Sequence, residues 1–294
     1  MCSKKISTLK TTSQNGDTHP TNKRFAKLAK LSTKIALNFK LHNLRPVPNL
    51  SYNYVLTGLQ DDAGIVLKLS LDSASLAREA SALQCFAKQG AVQVIKHGKN
   101  FLILEQAISG ISLRSYFPHQ DLEAVKIACQ VMKKLHQANI PTTHNFPLLK
   151  DWLAILNKDW EISFDYLHKA RSLRDQLLAS AESIVLLHGD FHHDNILQQA
   201  EDWLIIDPKG LIGESTFDIA AFICNPLPEL LIQDDIFFIL KTRIKAFSEI
   251  LQIPQTRLTD WCFIKSILSW AWALEDRENI LYWKKMAHIF NNLK

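Results

Sequence analysis

Apolar positions along the chain follow a helical period first, then alternate, then return to a helical period. Phe25, Leu28, Leu31 and Ile35 recur at helical spacing and predict one amphipathic helix over about 24–37. Two strand patterns follow at 52–58 and 65–69, separated by the turn signal Gln60-Asp61-Asp62-Ala63-Gly64. Asp72 or Ser73 can cap the next run, which carries Leu76, Ala80, Leu83 and Ala87 on one face. A second strand pair is predicted at 91–97 and 100–106. Beyond Gly110 helical patterns cover about 120–138, 148–157, 160–180, 229–251, 257–274 and 278–291, interrupted by short apolar runs at 184–187 and 203–206. The expected class is α+β: a bilobal arrangement with a small β-rich N-terminal lobe and a larger helical C-terminal lobe, joined near 105–110. The expected division is a flexible basic leader over 1–22, an N-terminal lobe over 23–108 and a C-terminal lobe over 109–294. Clefts between lobes are where small ligands bind.

Composition narrows this picture. With 47% hydrophobic and 21% charged residues over 294 positions, the chain has material for a large core and is not globally disordered. The stretches 46–60 and 135–149 carry no charge but are broken by prolines and polar residues, so no membrane partner is expected. The formal charge of +5 is unevenly spread. Residues 1–45 hold ten basic side chains and one acid, Asp17, leaving the remainder at −4. A mildly acidic body behind a basic leader argues against nucleic acid as a partner. Cys2, Cys85, Cys129, Cys224 and Cys262 are scattered, odd in number and without a CxxC pair. They read as reduced thiols of a cytoplasmic protein.

The segment richest in chemistry is His188-Gly189-Asp190-Phe191-His192-His193-Asp194-Asn195-Ile196. An apolar run delivers it, and a second run delivers Asp207-Pro208-Lys209-Gly210. Phosphoryl transfer from ATP needs a carboxylate at the acceptor hydroxyl, oxygen ligands for Mg²⁺ and a cation on the phosphates. Asp190 and Asn195 stand at the spacing of a kinase catalytic-loop Asp and its metal-binding Asn, and Asp207 follows a strand-like run where a second metal carboxylate belongs. Lys68 sits inside the otherwise apolar Ile65-Val66-Leu67-Lys68-Leu69, and Glu79 on the following helix is a suitable partner for it. Each match is commonplace alone; the five in this order are specific.

These strings, HGDFHHDNIL, IIDPKGLIGESTFDIA and Trp272-Ala273-Leu274-Glu275-Asp276, resemble the aminoglycoside phosphotransferase family, in particular its streptomycin 6-kinase and aminoglycoside/hydroxyurea resistance branch. The similarity covers about residues 40–285. It implies a protein-kinase-like fold transferring the γ-phosphate of ATP to a hydroxyl of a small molecule. On that resemblance Asp190 is the catalytic base, Asn195 and Asp207 bind magnesium, and Lys68 meets the α- and β-phosphates. Glu105 and Ala107 fall at the adenine-binding hinge, while His188 and Asp218 brace the catalytic loop. Lys209 is an extra cation whose role is open. Glu275, Asp276 and Glu278 would form an anionic rim for a cationic acceptor.

One stretch departs from the protein-kinase pattern. Where a glycine-rich loop would cover the phosphates, this chain reads Pro48-Asn49-Leu50-Ser51-Tyr52-Asn53-Tyr54, with Ser51 the candidate at its tip. A non-catalytic nucleotide-binding pseudokinase is therefore a rival reading. A metal-dependent phosphohydrolase is another, suggested by His192 and His193 beside acids, although one loop offers few ligands for a two-metal site. Trp261, Trp270, Trp272 and Trp283 are expected to pack rather than to stack on a ligand.

Overall fold

A computed structural model describes residues 20–48 and 53–293, the side chains of 20–23 excepted. Ser51 and most of the leader lie outside the described residues. The helix α1 (Pro20–Phe39) leads into β1 (Leu41–Pro46), β2 (Tyr54–Gln60) and β3 (Ala63–Leu69); α2 (Ser73–Phe86) separates these from β4 (Val94–Gly98) and β5 (Phe101–Glu105). The five strands form one antiparallel sheet in the order β1-β2-β3-β5-β4.

Strand periodicity gives this sheet two different faces. Ile65, Leu67 and Leu69 of β3 point to one side, where Leu28 and Ile35 of α1 cover them together with Leu41, Leu56 and Ile103. The helix read from the first apolar period is thus a wall of the sheet. Leu102 and Leu104 point to the opposite side, into the core formed by Leu76, Leu83 and Phe86 of α2 and by the rest of the chain. Lys68 shares that second side. The helix α2 starts where Asp72 accepts the backbone N–H of Ser75 at 3.1 Å.

Beyond the sheet come β6 (Ser109–Ser112), α3 (Asp121–Leu135), α4 (Leu149–Leu153), α5 (Phe164–Ala179), β7 (Ile184–Leu187), β8 (Ile196–Gln199), β9 (Asp202–Ile205) and β10 (Leu211–Glu214). The chain then runs through α6 (Thr216–Ile223), α7 (Ile236–Leu251), α8 (Gln255–Glu275) and α9 (Leu281–Asn292). β10 pairs with β7, and β6-β8-β9 form a second small sheet. These ribbons present two loops side by side, 188–195 after β7 and 206–210 after β9. The β-sheet N-terminal region and the helical C-terminal region match the expected α+β, protein-kinase-like class.

Several elements differ from expectation. The helical pattern at 229–251 is broken at Gln233-Asp234-Asp235, leaving a short 3-10 turn at Glu229–Ile232 and then α7. The stretch 160–180 begins its helix only at Phe164, after a cap from Ser163. β1, β6, β8, β10 and α6 carried no recognised pattern. Four are strands of four to six residues, and α6 is buried at all eight positions and so shows no amphipathic period. No helix among the described residues is long and apolar enough to cross a membrane. Cys129, Cys224 and Cys262 are buried free thiols, and Cys85 is partly buried.

Candidate active site

The buried Lys68 has two anionic partners. Its Nζ donates to Glu79 Oε1 and to Asp207 Oδ1, both at 2.7 Å. Burial alone would depress the lysine, but the carboxylates of Asp207 and Glu79 outweigh it and hold the ammonium above its ordinary range. Asp207 has φ +59°, a left-handed conformation unusual for a side chain with a Cβ. Burial would raise its carboxyl; the cations Lys68 and Lys209 bring it below the usual carboxylate range instead. One lysine therefore ties the N-terminal sheet, α2 and the loop after β9 together.

The loop after β7 is built on Asp218, at the first turn of α6. Its Oδ2 accepts the backbone N–H of His188 at 2.9 Å and lies 3.0 Å from His136 Nε2, while Oδ1 accepts the N–H of Gly189 at 2.8 Å. Gly189 takes φ +81°, and an added Cβ would sit 3.1 Å from both Leu211 and Lys209 side chains. His188 is fully buried. Its Nε2–H donates to the Ile206 carbonyl at 2.8 Å, so its Nδ1 is the lone-pair nitrogen that accepts the Asp190 N–H at 3.2 Å. Burial lowers this imidazole to about 4, which keeps it neutral. These bonds tie the loop after β7 to α6 and to the end of β9.

Asp190 faces Lys209 and His192. Lys209 Nζ stands 3.4 Å from its Oδ2, and His192 Nε2 stands 3.7 Å from its Oδ1. Burial pushes the carboxyl up, but Lys209, His192 and Lys265 together hold it well below the ordinary carboxylate range. Asn195 donates from Nδ2 to the Asp190 carbonyl at 2.9 Å, and its own carbonyl accepts the Ile206 N–H at 3.0 Å. The side-chain oxygen of Asn195 has no protein partner among the described residues, and the backbone bond to Ile206 pairs Asn195 with the residue before Asp207. Asn195 Oδ1 and the free oxygen of Asp207 are an all-oxygen donor pair, which suits a hard cation such as Mg²⁺. Among the described residues no group of three His, Cys, Asp or Glu forms a self-contained metal cage, so further ligands must come from a bound phosphate and water.

At the hinge, Glu105 is occupied: its N–H donates to the Gln93 carbonyl at 3.0 Å and its Oε1 accepts the Gln93 N–H at 2.7 Å. Ala107 is buried, and its backbone groups make no hydrogen bond among the described residues. The acidic group at the end of α8 lies apart from Asp190. Glu275 pairs with Lys158 at 3.1 Å, whereas Asp276 and Glu278 line a pocket with Leu227, Ser269, Trp272 and Ala273. Trp261, Trp270 and Trp283 are buried in the core, as packing residues; Trp272 and Trp283 also border that pocket.

Three side chains gain a place at the site: the sequence reading left the role of Lys209 open and missed Arg114 and Lys265. Lys209 proves to be the nearest cation to the Asp190 carboxylate. Arg114 joins Asp194 of the catalytic loop, at 2.6 Å, to Glu229 and to the carbonyl of Leu227 in the pocket wall. Lys265 is the third, a fully buried lysine in the apolar α8, where the rule that singled out Lys68 applies equally.

The arrangement, with a lysine bridging two carboxylates and a cation-flanked aspartate five residues before an asparagine, defines a protein-kinase-like phosphotransferase centre. The sequence pattern of the aminoglycoside/hydroxyurea antibiotic resistance kinases matches residues 45–277, and the chain belongs to that family. It is a small-molecule kinase. A streptomycin 3''-kinase of Klebsiella pneumoniae is 32% identical over 196 residues, covering 64% of this chain and 72% of that protein. A streptomycin 6-kinase of Streptomyces glaucescens is 23% identical over 227 residues, covering 74% of this chain and 73% of that protein. Among solved structures, an aminoglycoside phosphotransferase in complex with ADP and hygromycin B superposes with a TM-score of 0.68 at 12% identity, covering 90% of this chain and 97% of the other. A choline kinase of Streptococcus pneumoniae superposes at 0.66, also at 12% identity, over 90% and 99% of the two chains.

Proposed function

We propose that this kinase transfers the γ-phosphoryl group of ATP to a hydroxyl of a streptomycin-like aminoglycoside, with Mg²⁺ as its cofactor, in the cytoplasm. The observation that carries the reading is the pair of contacts Lys68–Asp207 and Lys209–Asp190, which supports Lys68 as the phosphate-binding cation, Asp207 as a metal carboxylate and Asp190 as the acceptor-orienting carboxylate. Kinship with two streptomycin kinases supports the acceptor class.

Asp190, ionised at neutral pH, orients the acceptor hydroxyl and takes its proton as the oxygen attacks the γ-phosphorus and the bond to the β-phosphate oxygen breaks. Its depressed basicity makes alignment and charge placement the larger part of its work, which suits a loose phosphoryl-transfer transition state. Lys209 is close enough to Asp190 to meet charge developing on the transferred group. Lys68, held by Glu79, grips the donor phosphates, and Ala107 offers its backbone to the adenine beside Glu105. Magnesium held by Asn195 and Asp207 would neutralise charge on the phosphate oxygens. Asp276 and Glu278 supply the anionic rim for a cationic acceptor.

The test is ADP release from Mg-ATP across a panel of hydroxylated compounds that includes streptomycin and hydroxyurea, with Asp190→Ala as the blank. Turnover that depends on an aminoglycoside and vanishes in the variant is expected. Phosphate release independent of any acceptor would point to a hydrolase. A chain that binds ATP but stays silent with every aminoglycoside, or that binds none, would overturn the assignment.

A further inference from the structure

Lys265, Ser269 and Trp272 lie four and three residues apart on one face of α8, and Asp276, four further on, is the residue that caps its C-terminus. The pocket below the helix uses Ser269, Trp272 and Asp276 of this stripe. Lys265 stands one turn further in, towards the catalytic loop. Its Nζ lies 5.3 Å from the ring centre of Trp272 and 5.4 Å from that of Phe217, and the Asp190 carboxylate is the strongest charge acting on it. Lys265 is 1% exposed and Ser269 is 2% exposed. Neither Lys265 Nζ nor Ser269 Oγ finds a hydrogen-bond partner among the described residues.

Two orphaned donors one helical turn apart are costly to a fold, and a ligand's oxygens are one way to satisfy them. The aromatic rings beside Lys265 soften the penalty without supplying an acceptor. Asp276, by contrast, is about 16 Å further along the helix axis. The stripe thus runs from an acidic outer end to a basic, hydroxyl-bearing inner end, where Lys265 lies by Phe217 and within the field of Asp190.

We infer that Lys265 and Ser269 form the inner floor of the acceptor site, donating hydrogen bonds to hydroxyl or ether oxygens of a polyhydroxylated acceptor. This rests on the phosphotransferase reading above and deepens it. The acceptor enters with its cationic groups outward at Asp276 and Glu278 and its oxygen-rich ring inward. The ring oxygens engaged by Lys265 and Ser269 then fix which hydroxyl meets Asp190. Burial lowers the lysine's basicity while Asp190 draws it back, a balance an incoming ring oxygen would relieve.

The experiment is steady-state kinetics with streptomycin as the varied acceptor at saturating Mg-ATP, comparing wild type, Lys265→Met and Ser269→Ala, together with the melting temperature of each. The expected result for Lys265→Met is a streptomycin KM raised about tenfold or more, with the loss carried by KM rather than kcat. Ser269→Ala raises it by a smaller factor. Lys265→Met melts no lower than wild type, because an apolar chain of similar length replaces an unpaired buried cation. Streptomycin KM values within about twofold of wild type in both variants would overturn the assignment, as would a displaced pH profile of kcat at constant KM. Silence of the wild type with streptomycin, with Mg-ATP still bound, overturns the aminoglycoside reading instead. Lys265 is then judged on melting temperature, where a fall in Lys265→Met overturns its ligand role and a rise supports it.

Discussion

Replacing His188 with Gln should flatten the acid side of the protein's stability profile, and the size of the effect follows from the geometry. The imidazole is fully buried and makes two bonds that need opposite roles from its nitrogens: Nε2–H donates to the Ile206 carbonyl and Nδ1 accepts from the Asp190 N–H. Protonation would set an N–H at Nδ1 against that backbone donor. The native imidazole is accordingly lowered from 6.5 to about 4. Between these values the unfolded chain binds a proton that the native protein refuses. The contribution of the neutral histidine is fully present above 6.5, falls as the pH drops and is exhausted near 4. At about 1.4 kcal/mol per pH unit, the gap corresponds to about 3 kcal/mol. Urea unfolding of wild type and His188→Gln across this window measures it. His193 is lowered by burial in the same direction, but it titrates in both proteins and cancels in their difference. A wild-type-minus-variant difference that does not change between pH 7 and 4 would refute the reasoning.

Arg243 is fully buried and grips both oxygens of Asp121 at 2.8 and 2.6 Å, the carbonyl of Ile223 at 2.9 Å and the carbonyl of Asn225. Arg243→Met strands a carboxylate and two carbonyls, so stability should fall by about 3–5 kcal/mol in urea, and adding Asp121→Asn should recover part of it. An unaltered urea midpoint in the single variant would mean that water replaces the guanidinium. Asn195→Ala removes the proposed magnesium-binding side-chain oxygen, and the magnesium concentration for half-maximal rate should rise about tenfold or more, with Asn195→Asp retaining much of the wild-type affinity. An unchanged magnesium requirement in Asn195→Ala would remove this residue from the metal site.

Much of the centre was legible because its residues violate their surroundings. Lys68 is a charge within an apolar alternating strand, and period two alone puts it opposite Ile65, Leu67 and Leu69. The polar strings around Asp190 and Asp207 are likewise set between apolar runs. Lys265 broke the same rule inside Trp261-Cys262-Phe263-Ile264-Lys265-Ser266-Ile267-Leu268 and could have been found by it. Arg114 and His136 carry no such mark. Each is a polar residue at the edge of an ordinary element, and their partners Asp194, Glu229 and Asp218 lie eighty or more residues away. The short strands that hold the two loops in place gain their stability from pairing with each other rather than from their own pattern. For α6 the obstacle was saturation, since a helix buried on every side has no polar face to reveal its period.

If Asp190 serves transfer of phosphate to an acceptor hydroxyl, the product itself carries the proof. Wild type and Asp190→Ala are incubated with Mg-ATP and streptomycin, and the streptomycin is analysed by mass spectrometry while ADP and inorganic phosphate are quantified. Streptomycin should carry one added phosphoryl group in amounts equal to the ADP formed, with neither product from Asp190→Ala. Inorganic phosphate without phosphorylated streptomycin, or equal product from both proteins, would contradict it.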